Sequence, residues 1–521
     1  MAQLHGFAPW PLQLGAEFVH GGEENVLVRL FERLGWSYRT LEWPDRYYFG
    51  IRSGELDPDS DASATGADGS SRGIVDAETA AARPDVAEAH RLLADLPNTP
   101  WVETSRNLAA DANATRSPSE AEAFDDATRR VPIGDVESSS TKHVDCTALE
   151  WLTNRVKASK RVVEIAESVY ANDFGCSLST MGMRETAVEQ REWCHGEEYI
   201  LLDEGRHLGD VVLEFARGLD IRLDTAARSV TWRKASRKAG ADGANTENDD
   251  DGDGVVVRST DGKSFRASAC VVAAPISALK EKHWCPTFRT PLAFDPRLPE
   301  PKRDAIESIQ MSDAVKICLA FREKFWPADV WNVVCCDAFL PECWMLEYEP
   351  TRDGDARDGA ARTDVAIVTF FACGETAKAI AARIREDPER GEAGVVDQAL
   401  AQLDAMFGDE HGVAGETAPA RTRFVAAKAF AWSGVDSVGG AYTHPSVYAA
   451  GARRSLRQSE YDGALFFAGE AANVKCNPCM QGAVTTGLDA AAAAAAARAA
   501  RTGTPLPEGF GDERWFVAEC F

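Results

Sequence analysis

A chain of 521 residues, 45% of them hydrophobic, is long enough for two or more domains with a cleft between them. Its net charge of −26 argues against a nucleic-acid footprint, which needs Lys and Arg gathered on one face, and favours cationic ligands, although much of that charge sits in polar stretches that read as solvated insertions. Thirteen cysteines, odd in number and scattered, do not form the framework of a small secreted protein and point to a reducing compartment.

The opening residues, MAQLHGFAPWPLQLGAEF, lack the basic region and apolar core of a signal peptide, and no stretch approaches the ~18 apolar residues of a membrane span. The expectation is a soluble protein of the cytoplasm or another intracellular compartment. Val26, Leu27, Leu30, Phe31 and Leu34 share one face of a predicted helix that Gly35 ends. From Arg52 to Ser140 the chain is rich in Asp, Ser, Ala, Gly and Glu, with a helical period only near Val86 to Leu96. Residues 52–140, 235–254 and 351–364 are read as disordered insertions. Helices are predicted around Ala148 to Tyr170. Strands are predicted at Ile221 to Leu223, Val255 to Arg258, Cys270 to Ala274, Val315 to Phe321, Val365 to Phe371 and Leu465 to Ala468. The buried runs CVVAA and LFFA indicate an α/β fold with a parallel sheet covered on both faces. Gly482 to Arg501, with its eight consecutive alanines, reads as a helix packed closely on that sheet.

The segment LFFAGEAANVKCNPCMQGAVTTGLDAA carries the most chemistry. A buried strand runs into Gly469 and Glu470, and a helix opens near Gly482 and Ala483, so a strand's carboxyl end meets a helix N-terminus. Such a junction favours an electron-rich group, although any strand-loop-helix crossover has this shape. In AVKICLAF, Lys316 points away from Val315, Ile317, Leu319 and Phe321, and must find a partner or reach water. A snorkelling edge-strand lysine is the plain alternative. Cys476 and Cys479 form a C-x-x-C before the helix, where a thiolate would be favoured; a zinc site would need two further ligands, and the histidines show no such spacing, so no metal is expected.

FFAGE followed by GA and a small-residue helix resembles the C-terminal flavin segment of the flavin-containing amine oxidases, the group of polyamine oxidases, monoamine oxidases and lysine-specific histone demethylases. The resemblance continues in matching order through LGAEFVHG, YANDFGCSL, GLDIRLDTAARSV, VVAAPISALK, AVKICLAFREKFW and AWSGVDSVGGAY. It implies a Rossmann-like FAD-binding domain built from residues 1–50, 205–275 and 431–505. This domain interleaves with a substrate domain of mixed sheet and helices, residues 141–204 and 276–430. Lys316 matches the family lysine that holds a water against flavin N5 and assists reoxidation by oxygen. Trp432 and Tyr442 match the aromatic walls beside the flavin, although alone each would more often be a core residue. Gly15, Ala16, Ala227, Ala274, Gly469, Glu470, Met480, Gly482 and Ala483 fall on cofactor-binding positions; Glu470 is otherwise a solvated loop acid.

Two departures bear on chemistry. Ala441 occupies the place of the cysteine that monoamine oxidases link to their flavin, so the FAD is expected to be non-covalent. Cys479 stands where those enzymes have a second tyrosine, which argues against simple aryl-alkyl monoamines. The strand, G-x-G-x-x-G turn and helix that should open such a fold, with its ribose-binding acid, are not found in the sequence; Gly66, Gly69 and Gly73 lie in a polar stretch without a preceding apolar strand. An N-terminally incomplete oxidase is therefore expected. The resemblance implies oxidation of a small-molecule amine, with a polyamine fitting the acidic balance and O2 as electron acceptor. The rival readings are another flavin oxidase or desaturase on the same fold, and a non-catalytic scaffold that has lost its FAD.

Overall fold

The computed structural model describes residues 3–8, 10–50, 73–98, 145–203, 205–233, 254–282, 290–347, 365–408, 416–503, 505–506, 508–510 and 512–521. Its largest element is a seven-stranded sheet. In spatial order the strands are Phe424–Ala431, Ala314–Phe321, Ala366–Cys373, Glu342–Trp344, Asn332–Cys335, Arg46–Phe49 and Gly73–Asp76. The pairings are antiparallel except that of Asn332–Cys335 with Arg46–Phe49. In Ala314–Phe321 every residue is buried. Val315, Ile317, Leu319 and Phe321 join Phe370, Val395, Leu403 and Phe407 in one core, under the helices Gly374–Glu386 and Pro388–Phe407. Cys318 and Ala320 face the other way, onto Leu12 and Leu14. The alternation read from the sequence therefore holds, with both faces covered.

The runs CVV and LFF are parallel strands as expected, Cys270–Val272 beside Leu465–Phe467, but Val271 is 42% exposed, so the expected cover on both faces is incomplete there. Among the described residues these two strands are the whole of that sheet. Beside it, Ala227–Arg233, Gly254–Ser259 and Ser264–Ala267 form an antiparallel meander joined at its edge by Ala293–Asp295. The helix Val26–Leu34 is capped by the Asn25 side chain, which accepts from Leu27 N–H, and ends at Gly35 with φ 67. Helix Met480–Thr502 ends likewise at Gly503, φ 71.

Four expectations change. Ile221 to Leu223 is not a strand: Ile221 and Leu223 are exposed, and an extended segment without a paired neighbour gains no ladder, so regular pairing starts at Ala227. Part of the supposed insertion 52–140 is folded. Gly73–Asp76 extends the large sheet, and Pro84–Leu93 buries Val86, Ala89, Leu92 and Leu93 against Trp151 and Ile165. Residues 52–72 and 99–140, together with 351–364 and all of 235–254 but Gly254, fall outside the described residues. Arg46–Phe49, assigned from sequence to the cofactor-binding portion, pairs instead within the seven-stranded sheet. The helical stretch from Ala148 is interrupted, with a break between Arg155 and Lys160 where Lys157 takes φ 57 and Ser159 caps the next helix. No helix among the described residues is long and apolar enough to cross a membrane.

Candidate active site

Hydrogen bonds tie together four segments far apart in sequence: residues 13–20, the strand that bears Lys316, residues 432–443 and residues 470–483. Lys316 is the tie between two of them: its ammonium donates to Gln13 O at 2.9 Å, Gly15 O at 2.8 Å and the Glu17 carboxylate at 2.9 Å. Both side chains of the pair are 5% exposed. Trp344 Nε1 also donates to Glu17, at 3.1 Å, and its ring lies 4.9 Å from the ammonium. A buried lysine is tolerable on these terms, because its charge is matched and its three hydrogens all have acceptors. The arrangement differs from the water-holding role carried over from the resemblance, since a water would have to replace one of these three partners.

Trp432 follows strand Phe424–Ala431 and donates from Nε1 to Leu14 O at 2.7 Å. A Cβ added at Gly15 would stand 3.2 Å from its ring, so the glycine lets the ring lie flat against the backbone. Tyr442 is half-buried with its hydroxyl 3.6 Å from Cys373 Sγ, and burial with the neighbouring thiol raises its pKa well above the phenol range. Gly175, at φ +71, packs directly beneath that ring, where any Cβ would overlap it.

The fourth segment, Glu470 to Ala483, is held to the others by a buried network. Arg453 donates to Glu185 at 2.7 Å, Thr443 Oγ1 at 2.8 Å, His444 O at 3.1 Å and Ala471 O at 3.2 Å. Thr443 Oγ1 lies 2.6 Å from Glu470 Oε2 and 2.9 Å from Asn477 Oδ1. Glu470 is thus a held acid rather than a solvated loop residue, and burial raises its pKa. Gln481 Nε2 donates to His20 O at 2.8 Å, bringing the start of the long helix beside LGAEFVHG.

Cys479 occupies the N-cap of that helix, and no side chain caps the first turn. The expectation of a favoured thiolate fails here. Burial, reinforced by Cys476, Glu189, Asp173 and Glu470, pushes the Cys479 thiol well above its ordinary value, and burial holds Cys476 at about 12. Desolvation outweighs the helix terminus.

Gly15, Ala16, Lys316, Trp432, Tyr442, Glu470, Cys479, Met480, Gly482 and Ala483 lie on the segments that converge. Gly469, at φ +121, has open space where a side chain would stand, and Thr486 Oγ1 accepts its N–H at 3.0 Å. Ala274 follows Cys270–Val272, whose Val272 O accepts from Ala468 N–H, so it flanks the same strand ends. Ala227 does not join them; it is exposed and pairs with Ser259 in the meander.

Residues that sequence reasoning did not single out complete the walls. Phe18, His20 and Trp43 surround Tyr199 with ring centroids at 5.6, 4.5 and 5.5 Å. Burial lowers the pKa of His20 to about 4 and raises that of Glu342 to about 7 and of Glu189 to about 8. Glu17 and His20 lie within LGAEFVHG, but nothing local marks a partner 299 residues away.

A group with an electron-rich ring edge fits here on two observations: the uncapped first turn of Met480–Thr502, and the glycine-floored approach of Trp432 to Gly15. A fold of mixed sheets with such a junction is compatible with a flavoprotein oxidoreductase. The family profile described as "Flavin containing amine oxidoreductase" matches residues 10–495, and the chain belongs to that family. Mouse lysine-specific histone demethylase 1B is 25% identical over 313 residues, 58% of this chain and 31% of that protein. Rice polyamine oxidase 3 is 27% identical over 285 residues, 54% of this chain and 46% of its own. These matches span less than half of either relative's length. The fold is shared with cyclohexylamine oxidase from Brevibacterium oxydans at a TM-score of 0.63 and 16% identity, covering 96% of this chain and 91% of that one.

Proposed function

We propose that this chain is an FAD-dependent oxidase of a small-molecule amine. The observation that carries the reading is the set of hydrogen bonds that ties the segments bearing Lys316, Trp432 and Tyr442 to residues 13–20 and to the helix whose uncapped start is at Cys479. FAD, when bound, supplies the hydride acceptor for the amine Cα and passes the electrons to O2, with H2O2 as product. The first turn of Met480–Thr502 would hold the flavin's pyrimidine edge, and Gly15, Ala16, Gly469 and Ala274 would line its approach without side-chain obstruction.

The chain's own residues bind, orient and exclude water. Trp432 and Tyr442 would flank the amine, their faces tolerating a cation as it enters. Tyr442 is kept in its place from below by Gly175 and from the side by Cys373. Phe18, Tyr199 and Trp344 would keep water from the reacting carbon. Lys316, fixed by Glu17, sets a positive charge beside Gly15 and orders the strand-to-site segment. With Ala441 in place of a linking cysteine, the cofactor would be held non-covalently.

The division into a cofactor portion (1–50 without Arg46–Phe49, 205–275, 431–505) and a substrate portion (141–204, 276–430) belongs to the same proposal. The test is the visible spectrum of the purified chain before and after incubation with FAD and desalting, followed by a peroxide assay across amines. Retained flavin absorption with amine-dependent peroxide supports the reading. A protein that stays colourless would sink it and favour the scaffold alternative.

A further inference from the structure

Glu342 takes no part in the reading above, yet the sheet register puts it on the face that carries Lys316. Lys316 stands opposite Phe371 from one neighbouring strand, and Glu342 stands opposite the same Phe371 from the other. Cys373, two residues beyond Phe371, bears the thiol beside Tyr442. Trp344, two residues beyond Glu342, carries the ring that lies 4.9 Å from the Lys316 ammonium. Side chains two apart on a strand share a face, so Lys316, Phe371, Cys373, Glu342 and Trp344 form one floor. The other face, with Ile317, Cys343 and Phe370, is packed in the core.

The carboxyl group is buried and held from three directions. Trp43 Nε1 donates to Oε1 at 2.7 Å, Asn332 Nδ2 to Oε1 at 2.9 Å, and Asn172 Nδ2 to Oε2 at 3.4 Å. Asn332 Oδ1, by contrast, is buried without a partner. Turning that amide over would present Oδ1 to a proton on Oε1, so the carboxyl group finds a partner in either protonation state. The titratable groups around it are Lys316 and Cys373 on the floor, and Tyr199 and Asp173 from neighbouring segments. Burial outweighs the hydrogen bonds from Trp43 and Asn332 and raises its pKa to about 7, a value suited to proton exchange near neutral pH.

An amine arrives in water as an ammonium ion, but its Cα–H bond yields hydride only when the nitrogen lone pair is free. A second cation beside Lys316, among Phe18, Trp344 and Tyr199, is also costly to keep. We propose that Glu342 takes the proton that the bound ammonium sheds: the N–H bond breaks, its electron pair stays on nitrogen, and an O–H bond forms on the carboxylate. This rests on the amine-oxidase reading for the identity of the ligand, but its test needs no flavin.

Binding of n-butylamine to the chain as purified and to Glu342→Gln is titrated calorimetrically from about pH 7.5 to about pH 9.5, below the ammonium pKa of about 10.4 typical of an alkylamine. The parent takes up amine and proton together, so its affinity should change by less than about threefold. The variant has nowhere to put the proton and binds only the neutral amine, so its affinity should rise about a hundredfold over the same range. Infrared difference spectra of the parent at about pH 8.5 should gain the C=O stretch of a protonated carboxyl group when n-butylamine is added, and those of the variant should not. Equal pH slopes in the two proteins overturn the proposal, as does absence of that band or of amine binding in the parent. Should the variant melt early, the infrared reading of the parent decides alone. Failure to retain FAD or release peroxide would instead count against the oxidase reading, leaving these binding results to decide this one.

Discussion

In strand Ala314–Phe321 all eight residues are buried, whereas in Cys270–Val272 the middle residue, Val271, is 42% exposed. The two strands belong to different sheets. The seven-stranded sheet has helices on one face and the N-terminal segment or the Pro84–Leu93 helix on the other. Among the described residues no further strand pairs with Cys270–Val272 on its other side, and the large exposed apolar side chains Leu213, Leu219, Ile221 and Leu223 precede the meander in sequence. Parallel strands are ordinarily buried on both faces, so the contrast shows where this chain's stability resides and where it is thin.

The largest expected effects test that contrast directly. Phe370→Ala in the large sheet should cost about 3–5 kcal/mol by denaturant unfolding. Arg453→Ala should cost a similar amount, about 3–5 kcal/mol, because it strands Glu185 without its partner. If Arg453→Ala costs nothing, the buried network does not hold the Glu470 to Ala483 segment. Gly175→Ala comes next. It meets both the Tyr442 ring and a positive φ, and should lose about 1–3 kcal/mol together with most amine binding, read by calorimetry.

A smaller effect concerns pH. Glu189 and Glu342, raised to about 8 and about 7 by burial, hold protons in the folded state that the unfolded chain has released. Their contribution is greatest below the unfolded carboxylate range and is lost as pH rises through 7 and 8. His20 and His444, lowered to about 4, oppose this only below their unfolded value of 6.5. Tm should therefore fall between pH 6.5 and 8, and Glu189→Gln should flatten the slope. The smallest effect is Leu223→Ser, expected within about 0.5 kcal/mol of the parent, with reduced binding of a hydrophobic dye.

Periodicity made the regular elements readable. The alternation in AVKICLAF, the capped helix from Val26 and the parallel pairing of CVV with LFF all follow from local patterns that the tertiary structure reinforces. It misread Ile221 to Leu223, since apolar alternation supplies side chains but cannot supply a neighbouring strand. Composition misread Gly73–Leu93, because a few well-spaced apolar residues suffice when Trp151 and Ile165 wait to receive them. Within the site, Lys316, Trp432 and Tyr442 were visible as residues. The partners Glu17 and Gly175 were not, for they are defined only by side chains that arrive from distant parts of the chain.

That distance has a temporal side. Leu14 O waits for Trp432, 418 residues later, and His20 O for Gln481, 461 residues later. Contacts of such separation close slowly, because the chain entropy of loop closure precedes their reward. On a ribosome, LGAEFVHG can pair with Ile200 and then with Lys316 long before Trp432 and Gln481 are made. The candidate site is therefore assembled in stages, its early contacts holding the segment in place for the late ones.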